Sequence, residues 1–201
     1  CVSESSRLAT MTSDDFKLMY AACRADHGVL PGARAYFEMK AFELTNSRSE
    51  RIALRVGWAR LDSHLVVGAD DKSCGFDISG GFFRDGKRVK DFCKRVNVQD
   101  TFGLLINLQP GHVNENTVSL FINGVRHCKP TKLPQGLIGH ALYPAVTFRS
   151  VGMIANCGNS SIWNPLKFKP NFVSEIPSKF LEKSPVVKPK QCEFIMPIGI
   201  P

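Results

Sequence analysis

Cysteine and histidine are the side chains with which nucleophilic or metal chemistry would start in this chain. Its seven cysteines are scattered over 201 residues and form no Cys-x-x-Cys pair, whereas zinc ribbons and disulfide frameworks use tighter or paired spacing. His127 and Cys128 are adjacent, but a structural zinc site usually takes four ligands. We therefore expect reduced thiols in an intracellular compartment, without a metal or other cofactor.

Acid–base catalysis would need titratable side chains gathered in one cleft, and the five histidines belong to no such motif. His112 follows Pro110–Gly111 and His140 follows a glycine, which favours solvent-facing loops. Asp70–Asp71 is a carboxylate pair in a segment where such residues usually make turn hydrogen bonds, and a calcium site would need further oxygen ligands. The sequence predicts no catalytic residue and a protein that is not an enzyme.

The basic side chains are the most informative charged groups. The formal net charge is +8 at pH 7, which favours an acidic partner such as RNA or an acidic peptide. Segments 84–95 and 167–190 each contain six Lys or Arg residues against two acidic ones, although a solvated charged surface also explains both. The candidate nucleic-acid contacts are Arg84, Lys87, Arg88, Lys90 and Arg95.

Short strands separated by turns must position these residues. Segments 36–40, 55–59 and 118–122 are rich in β-branched or aromatic residues and end near turn residues. Asn123–Gly124 predicts a two-residue hairpin turn, because both residues tolerate positive φ. Segment 101–108 is almost continuously apolar, as a strand buried on both faces should be, and pairs naturally with 118–122. This regular succession of short strands and turns predicts antiparallel sheets packed as an all-β sandwich, with Trp58 buried as a structural residue.

Length and composition suggest one domain with extensions at both ends. We assign residues 1–27 to an N-terminal extension and first strand, the latter near 16–20, and residues 28–164 to the core. Residues 165–201 form a proline-bearing extension that should run over the surface, with Phe168, Phe172 and Phe180 as anchors. No apolar run reaches the roughly 20 residues that span a bilayer, so we expect no membrane partner.

Several motifs fall in the order and spacing of a known family. They are Gly32, 36–39, 55–58, 73–76, Asp100, 122–124, 142–146 and 156–158. Together they resemble the SPRY domain over roughly residues 28–160. The family usually has Phe at the position of Cys157 and an acidic residue at that of Asn107, and both differences are local. The resemblance implies a SPRY-type β-sandwich that acts as a protein-interaction module.

The C-terminal segment resembles a more specific arrangement. In heterogeneous nuclear ribonucleoprotein U-like proteins, a SPRY domain is followed by a proline-bearing connector and a strand that enters a P-loop domain. Segments 185–190 and 192–196 resemble that connector and strand, which implies a nuclear, RNA-associated protein. Of the phosphate-binding residues only Gly199 is present, so nucleotide chemistry would lie beyond residue 201. The alternative is that 192–198 adds an edge strand to the sandwich.

The resemblance also indicates where a partner would bind. In SPRY peptide receptors, one rim of the binding surface follows the motif that matches 73–77 here, and another rim precedes the last strand. Phe83 stands where those receptors place a peptide-contacting tyrosine. We expect one of the rings of Phe82 and Phe83 in the core and the other exposed beside basic residues, as a partner-binding Phe83 would be. The candidate partner-binding residues are Phe83, Arg84, Lys87, Phe148, Arg149 and Ser150.

Three functions follow from these observations. The first is a non-catalytic SPRY module that docks a protein or peptide through loops at the end of the sandwich. The second is direct binding of RNA or a ribonucleoprotein by the basic surface. The third is an accessory domain of a P-loop kinase or ATPase. No small-molecule substrate is expected in any of them.

Overall fold

The computed structural model of this protein describes residues 7–9, 20–43, 52–158 and 160–185, and its regular structure is almost entirely β. The strands within these ranges are β1 (Arg7–Ala9), β2 (Ala21–Arg24), β3 (His27–Val29), β4 (Arg34–Glu43), β5 (Ala53–Ala59), β6 (Ser73–Asp77), β7 (Phe82–Arg84), β8 (Lys87–Val89), β9 (Thr101–Asn107), β10 (Thr117–Ile122), β11 (Val125–Arg126), β12 (Thr131–Lys132), β13 (Tyr143–Arg149), β14 (Val151–Asn156) and β15 (Leu181–Lys183). Short 3₁₀ helices lie at Gln135–Leu137, Val173–Glu175 and Ser178–Phe180.

The strands form two antiparallel sheets and a ribbon. Sheet one has the order β1-β14-β4-β9-β10-β11, with β12 also paired to β10, and sheet two has the order β2-β13-β5-β6-β7-β8. β15 pairs with β3 in a separate two-stranded ribbon. The inner faces of the two sheets enclose one apolar core, as two packed layers of alternating strands must. The predicted all-β sandwich is confirmed.

The hairpin predicted around the apolar run is present. Every residue of β9 is buried, and β9 pairs with β10 from Thr117↔Asn107 to Ile122↔Phe102. The turn that leads from β10 into β11 has φ of 49° at Asn123 and 80° at Gly124. These left-handed values suit Asn and Gly and match the twist of a two-residue hairpin turn, so the turn prediction is confirmed.

Trp58 anchors the core between the sheets. Its side chain is fully buried. The indole ring packs in an edge-to-face arrangement with the Phe37 ring of the other sheet, and the two ring centroids are 5.0 Å apart. Burial of a ring of this size removes roughly 150–250 Å² from water. Trp58 is therefore structural, as the sequence predicts.

The C-terminal segment covers the outer face of sheet one. Tyr36, Leu105, Phe121 and Phe172 form a second apolar cluster on that face, and Phe168 packs against it. Phe180, a few residues further along, packs against the main core. The three phenylalanines thus serve as the predicted anchors.

Some predictions fall outside the described residues. These are the strand near 16–20 except for Tyr20, and the segments 186–190 and 192–201. The domain boundaries after residues 27 and 164 stay predictions. Among the helices of the described residues, none is long and apolar enough to cross a membrane.

Candidate functional site on the outer face of sheet two

One half of the outer face of sheet two is covered by the loop 60–72. Val67 is buried over the small residues of β5 and β6, and a Cβ at Gly75 would lie 2.6 Å from Val67 Cγ1. The Val67 amide donates to Thr147 Oγ1 at 2.9 Å. Asp70 holds the loop by accepting from the Lys72 amide at 3.1 Å and from Ser73 Oγ at 2.9 Å. The turn hydrogen bonds expected of this aspartate are confirmed.

The other half of this face carries arginines stacked on aromatic rings. Arg55 of β5 lies opposite Thr147, and Arg149 of β13 lies opposite Ala53, so the two arginines are diagonal neighbours on the outer face. Arg55 Cζ lies 3.7 Å from the centroid of the Phe83 ring. Arg149 Cζ lies 4.8 Å from the centroid of the Tyr20 ring. Such stacking orients each guanidinium, and Arg55 Nη1 also donates to the Val67 carbonyl at 3.2 Å.

Arg88 completes this surface from the neighbouring hairpin. It lies opposite Phe83 in the β7–β8 pairing, and its Cζ is 5.8 Å from the centroid of that ring. Arg88 Nε donates to Asp77 Oδ2 at 2.9 Å, with the Arg88 side chain 31% exposed and that of Asp77 12% exposed. We call Arg55, Arg88, Arg149 and the rings of Tyr20 and Phe83 the arginine face.

Arg55 interacts electrostatically with both a cation and an acid at the arginine face. Partial burial lowers the pKa of Arg55 below its usual value, because desolvation disfavours the cation, and repulsion from Arg88 adds to this. Asp77 acts in the opposite direction, but it is also paired with Arg88. Arginine remains charged despite such shifts. A partly desolvated cation of this kind favours an anionic ligand.

The structure divides the predicted partner-binding residues. Phe83 and Arg149 belong to the arginine face, whereas Phe148 is 3% exposed and lies in the core. Ser150 is 6% exposed and has φ of 55° in the tight turn between β13 and β14. Phe148 and Ser150 therefore lie beside Arg149 in sequence and shape the end of its strand.

The expectation that Phe83 is exposed is wrong. Its side chain is only 8% exposed, because Arg55 stacks on the ring and the backbone at Gly68 lies directly against it. Phe82 is fully buried on the core side. Alternation correctly places the two rings on opposite faces, but a neighbouring cation and a distant loop cover the outer one.

The remaining predicted cations form a separate group. Arg84 of β7 lies opposite Cys74 of β6 and opposite Lys87 of β8. Arg84 and Lys87 are therefore on the other face of the sheet from Phe83. Lys90 and Arg95 are exposed in the segment that follows β8. Sequence analysis missed Arg55, although its position between the buried Leu54 and Val56 predicts an outward-facing cation.

A cavity of about 470 Å³ opens between the sheets at the opposite edge. Cys23, Met39 and Cys157 are among its lining residues. Burial raises the pKa of Cys23 and raises that of Cys157 to about 11, whereas a nucleophilic cysteine needs a lowered value. His27 Nδ1 lies 2.8 Å from Asp26 Oδ1 in an exposed pair at the cavity edge. The cavity thiols are thus poorly suited to catalysis.

Within the ranges that the structure describes, His, Cys, Asp and Glu side chains form no group of three that could hold a metal. Outside the cavity, the arginine face brings three guanidinium groups and two aromatic rings together.

Solved structures of SPRY domains share this architecture. A human SPRY domain matches with a TM-score of 0.58 and 18% sequence identity, over 80% of this chain and 96% of that chain. The SPRY domain of human HERC1 matches with a TM-score of 0.57 and 14% identity, over 80% and 94% of the two chains. The chain therefore has the SPRY-type fold that its motifs predict.

Comparison of sequences alone gives a weaker likeness. The ATP-dependent RNA helicase Ddx1 of Drosophila melanogaster is 26% identical over 148 residues, or 74% of this chain. The chain spans only 18% of the length of that helicase. No protein-family model matches the chain. The resemblance to heterogeneous nuclear ribonucleoprotein U-like proteins stays a prediction.

Proposed function

We propose that this chain is a non-catalytic interaction module that docks an acidic protein segment on the arginine face. The observation that carries the proposal is the stack of Arg55 on Phe83 at 3.7 Å, beside Arg88 and Arg149 on the same open face. The partner-binding residues of this proposal are Phe83 and Arg149 from the predicted partner-binding set, joined by Arg88 from the predicted nucleic-acid contacts and by Arg55 and Tyr20.

The chemistry of these cations favours carboxylates. A guanidinium presents a planar fork of donors that matches a carboxylate in two parallel hydrogen bonds. Stacking on Phe83 and Tyr20 reduces the side-chain freedom that binding would otherwise remove. The paired strands β5 and β13 hold Arg55 and Arg149. The short turn that contains Ser150 fixes where β13 ends, directly after Arg149. An extended peptide rich in Asp and Glu fits this arrangement.

Fluorescence anisotropy of a labelled Asp- and Glu-rich peptide tests the proposal. Arg55→Ala and Arg149→Ala should each weaken binding by about tenfold, since each removes one charged contact at a partly desolvated site. Lys167→Ala is the matched control, because Lys167 is also an exposed cation but lies outside the arginine face. Equal affinities for all three variants and the parent chain would contradict the proposal.

Direct RNA binding is the second candidate. It is supported by the net charge of +8, by the exposed Arg84, Lys87, Lys90 and Arg95, and by the relative named as an RNA helicase. Phosphate contacts release counterions, so affinity for an oligouridylate should fall by about 10³ between roughly 50 and 200 mM salt if six contacts form. A nearly flat salt response would remove this candidate.

The third candidate is an accessory role within a longer nuclear, RNA-associated protein with a P-loop kinase or ATPase domain. The helicase match supports it, because this chain corresponds to a small part of an ATP-dependent enzyme. The codons after Pro201 in the parent gene test it directly. Gly-Lys-Thr or Gly-Lys-Ser would complete a phosphate-binding loop, and a stop codon would exclude it.

A further inference from the structure

A small polar pocket lies on the outer face of sheet one, beside the C-terminal segment and near the end of β9. Its volume is about 110 Å³, and its lining includes Arg34, Asn107, His112, Ser119, Arg126 and Phe168. Pockets that hold whole drug-sized ligands take roughly 300–1,000 Å³. This pocket therefore suits one small chemical group, and we call it the sheet-one pocket.

Strand register builds the floor of the sheet-one pocket. Arg34 of β4 lies opposite Asn107 of β9, so the two side chains leave the sheet on the same face. Leu105 lies two residues before Asn107 and belongs to the outer apolar cluster, which places this face on the outside of the sandwich. Arg126 of β11 lies opposite Phe121, another member of that cluster. Strand pairing therefore brings two arginines to one outer face.

Two aromatic rings position the guanidinium groups at the pocket. Arg34 Cζ lies 5.8 Å from the centroid of the Phe168 ring, and Arg126 Cζ lies 4.7 Å from that of the Phe121 ring. The two rings are themselves in contact, with centroids 5.7 Å apart. A continuous row of cation, ring, ring and cation therefore joins the two arginines. The rings reduce the side-chain freedom that a bound ligand would otherwise have to remove.

Among the described residues, no acidic side chain lines the sheet-one pocket. Within the same ranges, neither Arg34 nor Arg126 takes part in an ion pair with a carboxylate. Arg34 is half-buried, and Arg126 Nη1 donates to the neutral Ser119 hydroxyl at 2.8 Å. Glu115 in the adjoining loop does not line the pocket and instead accepts from the Gly111 amide at 2.8 Å. Two cations in this setting favour an anionic ligand.

Two uncharged groups add hydrogen-bond donors to the pocket. Asn107 Oδ1 accepts from the Gln109 amide at 3.1 Å, so the atom that lies 2.9 Å from His112 Nδ1 is Asn107 Nδ2, which can only donate. The Asn114 amide donates to the same Nδ1 at 3.1 Å. The ring proton of His112 therefore lies on Nε2. The Ser119 hydroxyl accepts an arginine hydrogen bond and keeps its own proton to donate.

We infer that the sheet-one pocket binds a phosphate group, either as free inorganic phosphate or as the phosphate of a phosphorylated side chain. Arg34, His112 and Arg126 supply donors from three separate elements, namely β4, the loop after β9 and β11. A carboxylate has two oxygens in one plane, whereas a phosphate presents three terminal oxygens that accept donors from several directions. The inference is independent of the peptide proposed for the arginine face, which lies on the other sheet.

NMR titration of the ¹⁵N-labelled 201-residue chain with inorganic phosphate tests this inference, with ionic strength held constant by sodium chloride. Saturable amide shifts are expected at Arg34, Asn107, His112, Ser119 and Arg126. A second titration uses a short glycine-rich peptide with one phosphoserine and no acidic residue, and a third uses acetate. Tighter binding of the peptide than of inorganic phosphate would identify a phosphorylated partner as the source, and the reverse order would identify free phosphate.

Variants of the chain separate a defined site from general charge attraction. Arg126→Ala should weaken phosphate binding by about tenfold, the scale of one hydrogen bond to a charged group, and Arg126 is exposed, so its loss should not disturb folding. Lys129→Ala is the matched control, because it removes an exposed cation close in sequence that does not line the pocket. Asn107→Asp keeps the side-chain size and places a carboxylate opposite Arg34, so it should abolish binding.

Three results would overturn the inference. The first is that acetate produces the same saturable shifts as phosphate at equal affinity. The second is that Arg126→Ala and Lys129→Ala bind phosphate equally well. The third is that the phosphate-induced shifts concentrate on the arginine face and leave the sheet-one pocket unchanged.

Discussion

The outer faces of the two sheets carry polar groups in opposite situations. On sheet one, Glu38 is fully buried and accepts hydrogen bonds from Asn156 Nδ2 and the Trp163 amide, both at 2.9 Å. Its other oxygen accepts from the Tyr36 hydroxyl at 3.4 Å. On sheet two, Arg55 and Arg149 stack on rings but are only partly buried.

This difference separates the structural role of sheet one's outer face from the recognition role that we propose for sheet two. The segment 160–176 covers the outer face of sheet one and uses the hydrogen-bonding capacity of Glu38 within the chain. The loop 60–72 covers only part of sheet two, so the guanidinium groups of the arginine face are partly exposed. Polar residues on outward-facing strand positions therefore indicate a binding site only where no other segment covers them.

The strongest way to disturb the covered face is to remove its main anchor. Phe172 is 6% exposed, and its ring lies 5.4 Å from that of Tyr36. Phe172→Ala should reduce the free energy of unfolding by about 3–5 kcal/mol, since it removes buried apolar contacts and leaves a cavity. Urea denaturation measures this loss, while peptide affinity of the folded fraction should not change. A loss below about 1 kcal/mol would show that the segment does not stabilise sheet one.

The buried carboxyl offers a second test of the covered face, through pH. Burial raises the pKa of Glu38 above its ordinary value, although its three hydrogen bonds act in the opposite direction. The unfolded chain should titrate this group near its ordinary value of about 4.3, so the folded state retains the proton to higher pH. The stabilising contribution is full below that value and is lost as pH rises through the raised folded pKa.

Glu38→Gln removes this titration and keeps an acceptor for the Trp163 amide. The difference in unfolding free energy between parent and variant, measured by urea denaturation from acid to neutral pH, should shift against the parent as pH rises. A difference that is constant with pH would contradict the assigned burial of an ionisable Glu38.

The smallest expected effect concerns Asp77, the acidic residue beside the arginine face. Asp77 pairs with Arg88 and also accepts from the Gly81 amide at 2.7 Å. Asp77→Asn keeps an acceptor for that amide but removes the negative charge, so affinity for the acidic peptide should rise about threefold, the scale of an exposed ion pair. Fluorescence anisotropy checks this, with Asp62→Asn as the control because Asp62 lies in the loop 60–72. A fall in affinity would contradict the charge argument.

Local signals predicted the frame of the molecule well. Asn123–Gly124 identified a hairpin turn from two residues that tolerate positive φ. Runs of β-branched, aromatic or apolar residues next to turn residues identified strands of the core. Trp58 and the three C-terminal phenylalanines were also predicted as structural residues. Each of these features depends on a residue and its near neighbours in sequence, or on the size of a buried ring.

The state of the outer faces could not be predicted in this way. Phe83 is covered by Arg55 and by the backbone at Gly68, and Glu38 is covered by residues more than one hundred positions later. These contacts depend on how distant loops cross the sheets, which alternation within a strand does not encode. Among the residues that sequence analysis missed, Arg55 had the clearest signal, because it is an outward-facing cation between buried residues of its strand.

An NMR titration of the ¹⁵N-labelled chain with the Asp- and Glu-rich peptide tests the central claim most directly. Binding on the arginine face predicts that amide shifts concentrate at Tyr20, 53–57, Phe83, Arg88 and Arg149, with residues 160–176 unchanged. Shifts that concentrate on 160–176, or no saturable shifts at the arginine face, would contradict the account.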